Sequence, residues 1–113
     1  MCNQSILNII TNEILKAARE SLGDRLEKII LYGSYARKDY DDDSDIDIMV
    51  LANIPREDCW KERAKINSRT GWLDLEYDVL VSLQVTDSKT FYNFLRTEPF
   101  YQNVLRDGVV LSD

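Results

Sequence analysis

The chain has 113 residues, 20 acidic against 14 basic, a formal net charge of −6 and no histidine. That length holds one domain, residues 1–113, around one hydrophobic core, and the acidic balance argues against a general nucleic-acid surface, which needs clustered Lys and Arg to release counterions. The lack of histidine excludes the usual zinc sites, Ser–His catalysis and histidine general bases, although an acidic protein still holds a nucleotide when divalent cations bridge carboxylate to phosphate.

The start, "MCNQSILNII", lacks the basic region and long apolar core of a signal peptide. No apolar run approaches the roughly 18 residues of a membrane span. Cys2 and Cys59 are too few and too far apart for a zinc knuckle and read as free thiols. The expectation is a soluble, cytoplasmic protein. From Asn3 to Leu22, Ile6, Ile10, Ile14 and Ala17/Ala18 recur at helical spacing, with Ser5 as N-cap and Gly23 just past the end. Glu27–Tyr32 reads as a short apolar strand ended by Gly33, "SYARK" as one or two helical turns, "DYDDDS" as a polar loop and "DIDIMVLA" as a second strand. "NIPREDCWKERAKINSRT" has Pro55 near a helix start and Gly71 beyond its end; Trp60, Ala64 and Ile66 are sparse enough to predict a largely exposed helix. Trp72–Val85 alternates throughout, with Leu73, Leu75, Tyr77, Val79 and Val81 on one side and Asp74, Glu76, Asp78 and Leu80 on the other, and so predicts a strand. Asp87 caps a helix carrying Phe91, Phe94 and Leu95, Pro99 opens another ended by Gly108, and "VVL" forms a last strand. The order α-β-α-β-α-β-α-α-β predicts an α+β domain with a small mixed sheet flanked by helices.

The acidic run from Asp39 to Asp47 has three readings. A solvated loop accounts for Asp41, Asp42 and Asp43, but not for Asp45 and Asp47, which interrupt the apolar stretch Ile46, Ile48, Met49, Val50, Leu51. A calcium loop would use Asp39, Asp41 and Asp43; it fails because the required Gly is Ser44 and the closing Glu is Val50. The third reading joins the run to the strand before it. Gly33 allows a tight turn and close backbone approach, and the Ser34 hydroxyl with the first helical amides can hold phosphate. Asp45 and Asp47 then present two carboxylates on one strand face, their Cα atoms about 6.6 Å apart. Such a pair can converge on two cations about 3.5–4 Å apart, the arrangement of two-metal phosphoryl transfer. A third carboxylate is expected from an adjacent strand, with Asp74, Glu76 and Asp78 as candidates.

Gly33-Ser34, ten residues, then Asp45-Ile46-Asp47 resembles the DNA-polymerase-beta-type nucleotidyltransferase superfamily, and the small size resembles its minimal nucleotidyltransferases. The resemblance implies transfer of a nucleoside monophosphate, AMP from ATP, with release of pyrophosphate. It implies a catalytic, metal-binding set of Asp45, Asp47 and Asp78 around two magnesium ions, and nucleotide binding by Gly33, Ser34 and Arg37. Asp78 is the choice for the third carboxylate because "YDVLVS" looks like the family's Asp followed by an apolar strand; Asp74 and Glu76 stay open as alternatives. Arg37 reaches phosphate or makes a surface salt bridge. Lys38 stands where the family often has Gly, which bears on the turn after the short helix. Minimal proteins of this kind commonly accompany a HEPN ribonuclease toxin, so the resemblance implies an antitoxin that adds AMP to a hydroxyl, a tyrosine, of that partner. With so short a chain, a second protein or another copy has to complete the site. Two competing readings are a binding module that neutralises its partner by contact alone and a transferase acting on a small molecule. The segment "TFYNFLRTEPFYQNV" either docks a partner or packs Phe91, Phe94 and Leu95 into the core.

Overall fold

The computed structural model describes residues 3–111; Cys2 lies outside them. Asn3, not Ser5, caps the first helix, α1 (Gln4–Leu22): its side-chain oxygen accepts the Ile6 amide at 2.9 Å. Gly23 ends α1 at φ 57°, as expected of the residue just past a helix. Then come β1 (Leu26–Tyr32), α2 (Ser34–Arg37), β2 (Ile46–Ala52), α3 (Cys59–Thr70), α4 (Trp72–Tyr77), β3 (Val81–Asp87), α5 (Ser88–Phe94), α6 (Pro99–Asp107) and β4 (Val109–Val110). The four strands make one mixed sheet in the order β3-β2-β1-β4. β1 runs antiparallel to β2 and β4, whereas β2 and β3 are parallel.

Helices cover both sheet faces, which is why Ile29, Ile30 and Leu31 are buried consecutively rather than alternately. On one face Ile29, Leu31, Ile46, Ile48, Val50, Leu83 and Val85 pack with α1 and with Ile66 and Leu73. On the other, Ile30, Met49 and Leu51 pack with Phe91 of α5 and Val104 of α6. Phe91 is fully buried, worth about 1.5–3 kcal/mol over exposure. Phe94 instead is exposed, so the aromatic segment packs through Phe91 and Leu95 rather than through all three expected residues. No helix of the described residues is long and apolar enough to cross a membrane.

Residues 72–85 are not one strand. Gly71 takes a right-handed helical conformation (φ −59°, ψ −26°), so the chain passes from α3 directly into α4. "WLDLEY" contains no β-branched residue to favour a strand. Its Leu73 and Tyr77, four apart, both reach the core, whereas Leu75, which alternation would bury, is 89% exposed. Asp78 stops the helix in the left-handed region at φ 51°, and the strand begins only at Val81.

The helix α3 is largely exposed, as expected, but its inward face is Glu62, Ile66 and Thr70 rather than Trp60 and Ala64. Glu62 is only 3% exposed. Its carboxylate accepts from Ser21 Oγ (3.1 Å), Arg25 Nη2 (3.5 Å) and Lys65 Nζ (3.0 Å), tying α3 to the end of α1. Burial alone would raise its pKa, but the hydrogen bonds from Lys65 and Ser21 and the charges of Lys65 and Arg25 outweigh it and hold the group below the ordinary carboxylate range. A carboxyl depressed in this way stabilises the fold above its unfolded pKa and loses that contribution as pH falls through the folded value. Glu62→Ala is expected to cost about 1–2 kcal/mol at neutral pH in urea denaturation, the gap closing under acid. The loss stays below that of a fully buried pair because the Arg25 and Lys65 side chains are 50% and 62% exposed and rehydrate.

Candidate active site

The site forms where β1 ends and β2 begins. Asp47 pairs with Tyr32 of β1 on one side and with Ser82 of β3 on the other. It is the one polar residue of β2, at the open end of the face that continues inward as Met49 and Leu51. Gly33 follows Tyr32 at φ 73°, a conformation L side chains rarely adopt. A Cβ there would lie 2.3 Å from Asp47 Oδ2, so the close approach of the turn to the carboxylate requires glycine.

Tyr32, Gly33, Ser34, Arg37 and Asp47 line a cleft of about 370 Å³, closed on its far side by Phe100, Asn103 and Val104 of α6. That is within the usual size range of small-molecule sites. Tyr32 and Phe100 meet edge to face with centroids 5.7 Å apart. Burial, and then the Asp47 charge, push the Tyr32 hydroxyl up to about 12, so it remains a proton donor throughout the physiological range. Asp47 itself is raised above the ordinary carboxylate range, by burial first and the nearby Asp45 charge second, against the opposing pull of Arg37. A carboxylate with a second one nearby, beside a cleft lined by glycine, is a donor suited to a hard cation.

Arg37 makes the surface salt bridge, pairing with Asp39 at 3.1 Å, and also lines the cleft. Asp41 organises the loop between α2 and β2: its carboxylate accepts from the Asp43 amide (2.9 Å) and Ser44 Oγ (3.2 Å). Tyr35 stacks on Tyr40, centroids 4.1 Å apart, which fixes α2 against the start of that loop. Lys38, where a glycine is more usual, adopts the left-handed conformation (φ 65°, ψ 28°) that closes α2. Relief of that strain, less the greater freedom of an unfolded glycine, gives Lys38→Gly an expected gain of about 0.5–1 kcal/mol in thermal denaturation.

The structure brings Gly33, Ser34, Arg37 and Asp47 together in one cleft. Asp45 borders a neighbouring cleft with Asp42, Asp43, Tyr35 and Asp78. Asp78 is not brought to Asp47: it sits in the left-handed turn after α4, three residues before β3 begins. Of the alternatives, Asp74 turns toward the strand, its Oδ2 accepting the Val81 amide at 3.4 Å, and Glu76 is exposed. Among the described residues no group of three His, Cys, Asp or Glu is placed to hold a metal ion. The contribution of α6 was missed from sequence. Phe100 and Asn103 stand three apart after Pro99, but nothing in that spacing says at which end of the sheet the helix docks.

Comparison with known proteins bears on this arrangement. The family model described as nucleotidyltransferase domain matches residues 11–108. A Methanocaldococcus jannaschii protein named as a candidate protein adenylyltransferase is 34% identical over 99 residues, 88% of this chain and 91% of its own length. A second from that organism, named likewise, is 40% identical over 73 residues, 65% of this chain and 72% of its own. Among solved structures, a toxin–antitoxin crystallised with AMP-PNP is similar at 27% identity and TM-score 0.55, over 90% of this chain and 72% of that one. The structure of a candidate minimal nucleotidyltransferase, 17% identical, shares the fold with TM-score 0.62 over 96% of this chain and 95% of that chain.

Proposed function

The chain belongs to the nucleotidyltransferase domain family, and from that premise we propose that it transfers AMP from ATP to a tyrosine hydroxyl of a HEPN-type toxin and so acts as an antitoxin. The observation that carries the reading is Gly33 against Asp47: a glycine turn packed so closely on a carboxylate that a Cβ would lie 2.3 Å from its Oδ2, with Ser34 and Arg37 lining the same cleft. The adenylyltransferase names of the two archaeal relatives and the AMP-PNP of the toxin–antitoxin structure support the choice of nucleotide and acceptor class.

The triphosphate enters the cleft that Gly33 lines, and the Ser34 hydroxyl and Arg37 guanidinium, both lining it too, hold its oxygens. Tyr32 and Phe100 wall the opposite side. Asp45 and Asp47 would hold magnesium, whose chemistry is to neutralise charge on the phosphates as the bond to pyrophosphate breaks. The protein partner completes a site that is open to solvent. The test is direct: the chain is incubated with its co-purifying partner and ATP labelled at the α-phosphate, and the partner is weighed by mass spectrometry. Addition of one or more AMP groups to a tyrosine peptide is expected; a partner that stays unmodified while still bound and inhibited overturns the enzymatic reading.

A further inference from the structure

Transfer of AMP in particular requires a choice among nucleoside triphosphates, and the phosphate end of the cleft cannot make it. Gly33, Ser34, Arg37 and Asp47 face groups that every nucleotide carries. The base has to be read by the remaining wall, where α6 places Phe100 and Asn103. Three residues apart on a helix, the two side chains share one face. Val104, 1% exposed, anchors that helix in the core behind them. Phe100 is 48% exposed although it is a large apolar ring. Its ring neighbours Tyr32 and Tyr101 meet it at steep angles, 86° and 67°, and neither lies flat on it. A flat base gains by stacking on such a ring.

Asn103 is the one carboxamide that lines the cleft. Among the described residues its side chain makes no hydrogen bond, whereas the neighbouring Gln102 donates through Nε2 to the Arg96 carbonyl at 3.0 Å. A carboxamide holds a donor and an acceptor side by side, which matches the N7 acceptor and N6 amine of adenine. Guanine offers two acceptors on that edge, N7 and O6, and so opposes the carboxamide oxygen. At the Watson–Crick edge a carboxamide turned end for end satisfies either purine, so a choice of adenine requires the N7 edge. We infer that Asn103 selects the base, pairing with N6 and N7 of an adenine stacked on Phe100. The inference rests on the nucleotide-binding reading above.

The experiment is calorimetric titration of the whole chain, without acceptor, with ATP, GTP, 7-deaza-ATP and inorganic tripolyphosphate, each with Mg2+. The parent is expected to bind ATP at least about fivefold more tightly than GTP or 7-deaza-ATP, the low end for a bidentate base contact. Asn103→Ala is expected to bind the three nucleotides alike. Phe100→Ala is expected to weaken all three together. Both variants should hold tripolyphosphate as the parent does, which verifies that the phosphate site is folded and intact. A parent that binds ATP and GTP equally, or an Asn103→Ala chain that keeps the preference, would overturn the role given to Asn103 and leave the nucleotidyltransferase reading standing. So would 7-deaza-ATP bound as tightly as ATP, which would move selection to another edge of the base. A fall in tripolyphosphate affinity in Asn103→Ala would make the side chain a structural element and overturn its role as well. A parent that binds neither ATP nor tripolyphosphate would overturn both readings.

Discussion

The double variant Asp45→Asn, Asp47→Asn will lose transfer of AMP to the partner by at least about 100-fold, some 2.7 kcal/mol of transition-state stabilisation, with a melting temperature equal to or above that of the parent. The loss follows from the role of the two carboxylates. An amide keeps the shape of the side chain but removes the charge that holds a cation, and a bound cation supplies several kcal/mol against the developing phosphate charge. The retained stability follows from the same geometry. Asp45 is exposed and Asp47 half-buried, and among the described residues neither takes part in an ion pair. Asp47 is held above its ordinary pKa by burial and by Asp45. A carboxyl with a raised folded-state pKa weakens the fold as pH rises and it ionises, so a neutral amide at that position relieves the fold at neutral pH. α-phosphate label transfer and thermal denaturation read the two effects separately. Full labelling by a folded double variant would sink the enzymatic reading. Lost labelling with undiminished neutralisation of the partner would favour a module that acts by contact alone.

How much of this was readable in the sequence depends on whether neighbours along the chain or across the fold decide the outcome. Asp45 and Asp47 were readable because period-2 alternation and the apolar run Ile46–Leu51 leave no other reason for two carboxylates there. Gly33 was readable as a turn, but its contact with Asp47 comes from the pairing of Tyr32 with Asp47, which is tertiary. Residues 72–77 were misread because Leu73, Leu75 and Tyr77 satisfy a strand period as well as Leu73 and Tyr77 alone satisfy a helical one. Packing of Leu73 against the first core cluster decides it. That one misreading set Asp78 on a strand, whereas it sits in the left-handed turn after α4, three residues before β3 begins. Glu62 was invisible for another reason: its partners Ser21 and Arg25 come from 41 and 37 residues earlier in the chain. Within the acidic loop Asp41 is not a free solvated group but organises the turn through the Asp43 amide and the Ser44 hydroxyl.

Gly33→Ala will damage activity and stability together, whereas Gly23→Ala will damage stability alone. Both glycines have positive φ, 73° and 57°, so an alanine at either strains the backbone by about 1–3 kcal/mol. For a domain of this size a loss of about 2 kcal/mol lowers the melting temperature by roughly 10 °C. The surroundings differ. A Cβ at Gly23 meets nothing within 4 Å, whereas at Gly33 it meets Asp47 Oδ2 at 2.3 Å and Asp47 Cγ at 3.2 Å. The carboxylate has to rotate away from the turn, which displaces it from the place it holds in the cleft. Displacement of a reacting group by about 1 Å is enough for a 100-fold loss of rate, so the expected fall in transfer for Gly33→Ala is at least that, at a temperature where the variant is still folded. Measured beside Gly23→Ala at matched fractional folding, the comparison cancels the shared backbone strain. Equal activities in the two variants would show that the contact between Gly33 and Asp47 has no part in the chemistry. An activity gap of two orders of magnitude would tie transfer to the position of the Asp47 carboxylate, which the substitution at Gly33 displaces and the one at Gly23 leaves alone.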